Sequence, residues 1–116
     1  MARIVHVEIT TDAVAGTAQF YANLFGLAAE PSPFLPDYTL LTGEDGPSTA
    51  IMARTYQDQK VIIWFEVEDI EAALAAVEAE SGRRIGHVNT IPGQGRLAYA
   101  QDPNGTIFGL KQARMA

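Results

Sequence analysis

The sequence predicts an α+β domain that contains two βαβββ units, and three observations lead to this prediction. An alternating strand pattern followed by an amphipathic helix pattern occurs twice along the chain. The glycines that follow the two helix patterns, Gly26 and Gly82, are 56 positions apart. Short apolar runs separated by turn residues follow each helix. Because 116 residues suffice for one core, we assign residues 1–116 to a single domain, with unit one at about 1–55 and unit two at about 60–116.

The first unit begins with a predicted strand that leads into a predicted helix. Residues 3–9 alternate, so that apolar residues lie on one strand face while His6 and Glu8 lie on the other. Residues 13–25 follow a helical period, with Asp12 placed to cap the helix start and a glycine placed to end it. The helix stripe that we expect to face inward contains Val14, Ala18, Tyr21 and Phe25.

The second unit repeats this arrangement. Residues 61–67 alternate in the same way, with Trp64 and Glu66 on the face that also carries Ile62. A helix follows, with Asp69 near its cap. The residues that we expect to face inward from this helix are Ile70, Ala73, Leu74 and Val77.

The hairpins that complete each unit are predicted from short apolar runs. Turns at 44–47 and 102–105 separate the two strands of each hairpin. Pro31, Pro33 and Pro36 predict an extended segment that crosses over before the first hairpin without full pairing. The four predicted hairpin strands are 38–42, 49–54, 97–101 and 106–111.

Composition and charge narrow the classes of partner and chemistry. There is no cysteine, which excludes disulfides, zinc-thiolate sites and cysteine nucleophiles. The net charge is −6, so we expect neither nucleic acid nor an anionic membrane surface as a partner. No apolar run reaches the length of a signal peptide or of a membrane span, which predicts a cytoplasmic protein.

The order of several short motifs resembles the vicinal oxygen chelate superfamily, which includes glyoxalases, bleomycin resistance proteins and extradiol dioxygenases. The resemblance covers nearly the whole chain. It implies that the two βαβββ units form a cupped mixed sheet with helices on the outside, and it implies a homodimer. The motifs that carry it are His6–Ile9, Phe20–Tyr21, Phe25–Gly26, Phe65–Ile70, Gly95–Arg96 and Asp102–Gly105.

The same resemblance implies metal-ligand positions on the first and last strand of each unit. His6 matches the first-strand position, whereas Ile62 stands at the equivalent position of the second unit. The last-strand positions fall on Gly109 and near Ala50, which are not metal ligands. We therefore expect no cofactor, with a divalent metal at His6 as an alternative if Glu8 and Glu66 complete the site. We expect His87, between two predicted strands, to be exposed or hydrogen-bonded.

Our leading hypothesis is that the chain binds a small, partly apolar molecule, such as a metabolite or an antibiotic, in a concave pocket. The Trp64 indole, the apolar side chain of Ile62 and the nearby Glu66 carboxylate favour a flat or cationic guest. Whether Tyr99 shares their face depends on a strand register that the sequence leaves open. For Trp64, a place in the core or in a dimer contact is an equal alternative, and for Arg96 solvation is the alternative. The candidate ligand-binding residues are Ile62, Trp64, Glu66, Arg96 and Tyr99.

Two other functions stay open. One is a lyase, isomerase or dioxygenase-type enzyme in which His6 and Glu8 act as general acid and base, or in which a divalent metal has an unusual ligand set. The other is a structural or regulatory dimer with an unused cleft, in which hydrogen bonds fix His6 and Glu8 without chemistry. A serine hydrolase is disfavoured because Ser32, Ser48 and Ser81 have no elbow or base at motif spacing.

Overall fold

The structure is a computed structural model that describes residues 2–43 and 45–112. Glu44, in the first predicted turn, lies outside the described residues. The described chain contains eight strands and two helices. Their bounds are β1 Arg3–Thr11, α1 Val14–Phe25, β2 Ala28–Pro31, β3 Tyr38–Thr42, β4 Ser48–Ala53, β5 Val61–Val67, α2 Ile70–Ala79, β6 Arg83–Ile91, β7 Gly95–Gln101 and β8 Ile107–Gln112.

The chain divides into two compact units. We call Val5–Ile62 the first unit, and Met1–Ile4 together with Ile63–Ala116 the second unit. In the first unit the strand order is β2-β3-β4-β1, and in the second it is β6-β7-β8-β5. In each unit the first and last strands pair in parallel and the other neighbours pair antiparallel. The predicted α+β class with two βαβββ units of mixed pairing is confirmed.

The core of the first unit lies between α1 and one face of its strands. Ala18 and Ala22 of α1 pack there with Leu41 of β3 and Ile51 of β4. Phe25, which we expected to face inward, is 65% exposed. It lies at the end of the helix, where the chain turns at Gly26, and its ring stacks beside Tyr21 instead.

The core of the second unit lies between α2 and one face of β5, β7 and β8. All four helix residues predicted to face inward pack in this core. Phe65 and Val67 of β5 pack against it as well. Because successive side chains of a strand point to opposite faces, Trp64 and Glu66 lie on the face away from α2.

The two helices begin differently. Asp69 caps α2 as predicted, because its carboxylate accepts hydrogen bonds from the backbone N–H groups of Glu71 and Ala72. The predicted cap by Asp12 is wrong, since α1 starts after Ala13 without a side-chain cap. The Asp12 carboxylate is held instead in an ion pair with Arg54, at 2.8 Å from Nη1.

The end of α1 and the proline segment after it both lie near the outermost strand of the first unit. Gly26 ends α1 in the left-handed conformation, with φ 69°, as predicted. The segment expected to cross over without full pairing contains β2, which pairs antiparallel with β3 up to Pro31. This is compatible with proline because β2 is the outermost strand of its unit.

No helix within residues 2–43 and 45–112 is long and apolar enough to cross a membrane.

Asp69→Ala is expected to lower the free energy of unfolding by about 1 kcal/mol, because two backbone N–H groups of α2 lose their acceptor. Glu78→Ala is the matched control, since it removes the same charge from an exposed position of the same helix and should shift stability by about 0.5 kcal/mol or less. Urea unfolding followed by circular dichroism measures both. Equal stability of the two variants would contradict the assigned cap.

Candidate functional site

The face of the first unit that points away from α1 carries a buried carboxylate. Glu8 is only 3% exposed and lies on β1 between His6 and Thr10, which share its face. Ala50 of β4 is directly opposite Glu8, so its small side chain leaves room for the carboxylate to reach across the strand. A carboxylate buried in a sheet is costly unless it accepts hydrogen bonds.

Tyr38 of β3 supplies such a bond and links Glu8 to His6. The Tyr38 hydroxyl donates to Glu8 Oε2 at 2.7 Å, and it lies 2.9 Å from Nε2 of His6. On the other side of the imidazole, Ser48 Oγ lies 2.5 Å from Nδ1. Ser48 is directly opposite His6 in the parallel pair of β1 and β4. We call the connected residues Ser48, His6, Tyr38 and Glu8 the polar chain.

With Glu8 ionised, the hydrogen-bond partners in the polar chain assign a position to each of its protons. The single hydroxyl proton of Tyr38 goes to Glu8, so the Tyr38 oxygen accepts a hydrogen bond from Nε2–H of His6. In a neutral imidazole, Nδ1 then carries the lone pair and accepts from the Ser48 hydroxyl. The polar chain thus has a proton acceptor directed at the exposed Ser48 and a buried carboxylate that stabilises an imidazolium.

The corresponding face of the second unit is aromatic. Trp64, Gly109 and Tyr99 are direct cross-strand neighbours on β5, β8 and β7. The indole of Trp64 lies on the backbone of Gly109, because a Cβ atom at this position would overlap the indole ring atoms. The rings of Trp64 and Tyr99 have centroids 4.9 Å apart and planes tilted by 56°. Trp64 is only 6% exposed, whereas Tyr99 is half-buried, so Tyr99 presents the accessible ring of the pair.

The other predicted ligand-binding residues lie in different surroundings. Glu66 shares the face of Trp64, and its Oε1 is 3.3 Å from Nε of Arg3. Arg96 does not join this group, because its Nη2 donates to Glu71 of α2 at 3.0 Å on the opposite face. Ile62 has no exposed surface and offers a ligand no contact in this conformation.

The residues at the ligand positions implied by the resemblance do not fit a divalent ion. Both ring nitrogens of His6 are hydrogen-bonded within the polar chain, and the space above Gly109 holds the Trp64 indole. Ala50 and Gly109 occupy equivalent places, opposite Glu8 and Trp64, and neither has a donor atom. Within the described ranges no three His, Cys, Asp or Glu side chains come together as a metal-binding group.

Sequence reasoning missed two members of the polar chain, Tyr38 and Ser48. Each stands at the start of a strand whose predicted bounds were nearly right. Ser48 meets His6, 42 positions away, through the parallel pairing of β1 with β4. Tyr38, 32 positions from His6, also needs the antiparallel pairing of β3 with β4. The expected position of His87 between two strands is wrong, because His87 lies within β6, near an irregularity in the pairing with β7. Its side chain is exposed, which was one of the two expected environments.

Comparisons with known proteins agree with this fold. No curated protein sequence matches the chain. Methylmalonyl-CoA epimerase from Mycobacterium tuberculosis is similar in structure, with a TM-score of 0.75 at 14% identity over 97% of this chain and 88% of that one. A hypothetical protein from Bacillus halodurans C-125 has a TM-score of 0.75 at 13% identity, over 99% of this chain and 96% of that one.

A third similar structure carries the name of a superfamily. It is a glyoxalase/bleomycin resistance protein/dioxygenase superfamily member from Vibrio splendidus 12B01, with a TM-score of 0.70 at 19% identity over 97% of this chain and 99% of that one. At these identities, the structural similarities establish the fold alone. The family model for the same superfamily matches residues 3–110 of the sequence. Since that match spans nearly the whole chain, the protein belongs to the glyoxalase/bleomycin resistance protein/dioxygenase superfamily.

Proposed function

We propose that this protein binds a small, partly apolar molecule with a flat ring on the face of the second unit that carries Trp64 and Tyr99. The observation that carries the proposal is the Trp64 indole seated on Gly109 with the Tyr99 ring against it, at a position where the resemblance implies a metal ligand. An aromatic surface at that position favours stacking over metal coordination. The binding that we propose therefore needs no metal.

Tyr99 is the ring that a ligand meets in this proposal, and Trp64 supports it from below. Both residues lie in strands that pair with β8, so the sheet holds the two rings in place before a ligand arrives. A site that is already ordered loses less conformational entropy on binding. Offset or edge-to-face contact with a ligand ring contributes about 0.5–1.5 kcal/mol beyond the area that it buries.

Charges around the aromatic pair favour an uncharged ring system with a polar substituent. Glu66 shares this face and faces two cationic residues, because Arg3 pairs with it and Lys111 is directly opposite it in β8. Arg3 is exposed, so its ion pair contributes little to stability and can be exchanged for a ligand hydrogen bond. A hydroxyl group on the ligand can accept from the cations or donate to the carboxylate.

Tyr99→Ala is expected to weaken the binding of 2-naphthol about 2- to 13-fold, because the stacking contact of about 0.5–1.5 kcal/mol is lost. Tyr99→Phe is the matched control and should bind like the wild type, since it keeps the ring. Isothermal titration calorimetry measures the Kd values. The saturated two-ring alcohol 2-decalol should bind more weakly than 2-naphthol. Equal affinity of the two alcohols, or of Tyr99→Ala and the wild type, would contradict the stacking role.

A second candidate function is acid–base catalysis in the first unit, and the observation that favours it is the polar chain. His6 and Glu8 are connected through the Tyr38 hydroxyl, so a proton taken up by the imidazole is stabilised by a buried carboxylate. Such a pair suits an isomerase or lyase that removes a proton next to a carbonyl group. Methylmalonyl-CoA is a suitable probe, because the epimerase named for it shares the fold.

Incubation with methylmalonyl-CoA in deuterated water tests this second function. If the polar chain acts as an acid–base pair, deuterium enters the substrate at the carbon between the carbonyl groups, and mass spectrometry detects it. Tyr38→Phe should slow this exchange about 100-fold, the lower part of the range for positioned proton transfer, because it breaks the link between His6 and Glu8. If deuterium enters methylmalonyl-CoA no faster with the protein than without it, the polar chain does not remove a proton from this class of substrate.

A further inference from the structure

We propose that Ser48 is a nucleophile activated by His6, and that the first unit transfers acyl groups from activated esters. The sequence offered no serine motif, because the base does not lie near Ser48 along the chain. The parallel pairing of β1 with β4 supplies it by placing His6 directly opposite Ser48. The proposal goes beyond ligand binding and does not rest on it, since it involves the first unit alone.

The geometry at Ser48 is that of a hydroxyl bonded to a base. Ser48 Oγ is 2.5 Å from Nδ1 of His6, whereas the other acceptor near it, the carbonyl oxygen of Val5, is 3.4 Å away. The single hydroxyl proton therefore goes to the imidazole. Ser48 is exposed, so its oxygen is accessible to an ester from solvent. A serine within hydrogen-bond distance of an oriented base meets the requirement for an activated nucleophile.

Tyr38 and Glu8 orient the base. Because the Tyr38 hydroxyl donates to Glu8, it accepts from Nε2–H of His6 and leaves the Nδ1 lone pair directed at Ser48. When His6 takes the Ser48 proton, the buried Glu8 carboxylate stabilises the imidazolium through the tyrosine. The order is nucleophile, base and acid, as in a serine triad, with Tyr38 placed between the base and the acid.

The reaction step balances without an added reactant. Ser48 Oγ forms a bond to the ester carbonyl carbon while its proton moves to Nδ1 of His6. The bond from that carbon to the leaving oxygen breaks, the leaving group departs with the electron pair, and it receives the proton from His6. Water then hydrolyses the acyl serine with the same base and releases the acid. An ester of a phenol is the substrate class, because a phenolate departs readily.

Reaction with p-nitrophenyl acetate tests the proposal. The wild type should gain the mass of one acetyl group, and peptide mapping should place that group on Ser48. Ser48→Ala should lose this label, and His6→Gln should slow labelling about 100-fold, within the range for loss of a general base. Ser81→Ala is the matched control at another exposed serine and should be labelled like the wild type.

Two results would overturn the proposal. One is an acetyl group on Lys60, Lys111 or the amino terminus of the wild type in place of Ser48, a result that involves no variant and so cannot reflect misfolding. The other is labelling of folded Ser48→Ala at the wild-type rate, with folding established by its circular dichroism melting curve. Titration of Ser48→Ala with 2-naphthol separates the two proposals, because ligand binding by the second unit should be unchanged.

Discussion

The packing of the Trp64 indole on the backbone of Gly109 is the contact on which the proposed ligand site depends. It requires glycine at position 109, because any side chain there would occupy the volume of the indole. It buries Trp64 and places Tyr99 against it at the surface of the sheet. It also excludes a carboxylate from the last strand, since Trp64 and a metal ligand at position 109 cannot share the same space. This contact thus provides an aromatic surface and leaves no space for a metal-ligating side chain at position 109.

The two units use the same backbone arrangement for different chemistry. In each unit, one face of the strands packs against the helix. Because side chains alternate along a strand, every second residue lies on the other face. Glu8 and Trp64 occupy equivalent places, each opposite a residue with little or no side chain, Ala50 or Gly109. The small neighbour lets the larger side chain cross the strand. In the first unit a carboxylate reaches Tyr38, and in the second an indole reaches Tyr99.

The local sequence pattern is sufficient to predict most of the strands and helices, because hydrophobic periodicity, helix caps and turns depend on residues that are close together along the chain. The face of Trp64, the inward residues of α2 and the Asp69 cap followed from such patterns. The prediction for Asp12 failed because its carboxylate pairs with Arg54, which is distant along the chain. The prediction for Phe25 failed because this residue lies at the end of α1, where it is exposed. Ser48 was missed because it meets His6 only through strand pairing. Arg96 lay just before the predicted strand 97–101, whereas β7 begins at Gly95, so strand alternation places Arg96 on the face of α2 and away from Tyr99.

Trp64 fluorescence in Gly109→Ala tests the central contact most directly. Displacement of the indole should shift the emission to longer wavelength, because Trp64 becomes more exposed, and should lower the free energy of unfolding by about 1–3 kcal/mol. Gly16→Ala is the matched control: a Cβ atom there meets no neighbour within 4 Å, so the emission should be unchanged and the helix about 0.5–1 kcal/mol more stable. Gly109→Ala with wild-type emission and stability would contradict the packing of Trp64 on Gly109.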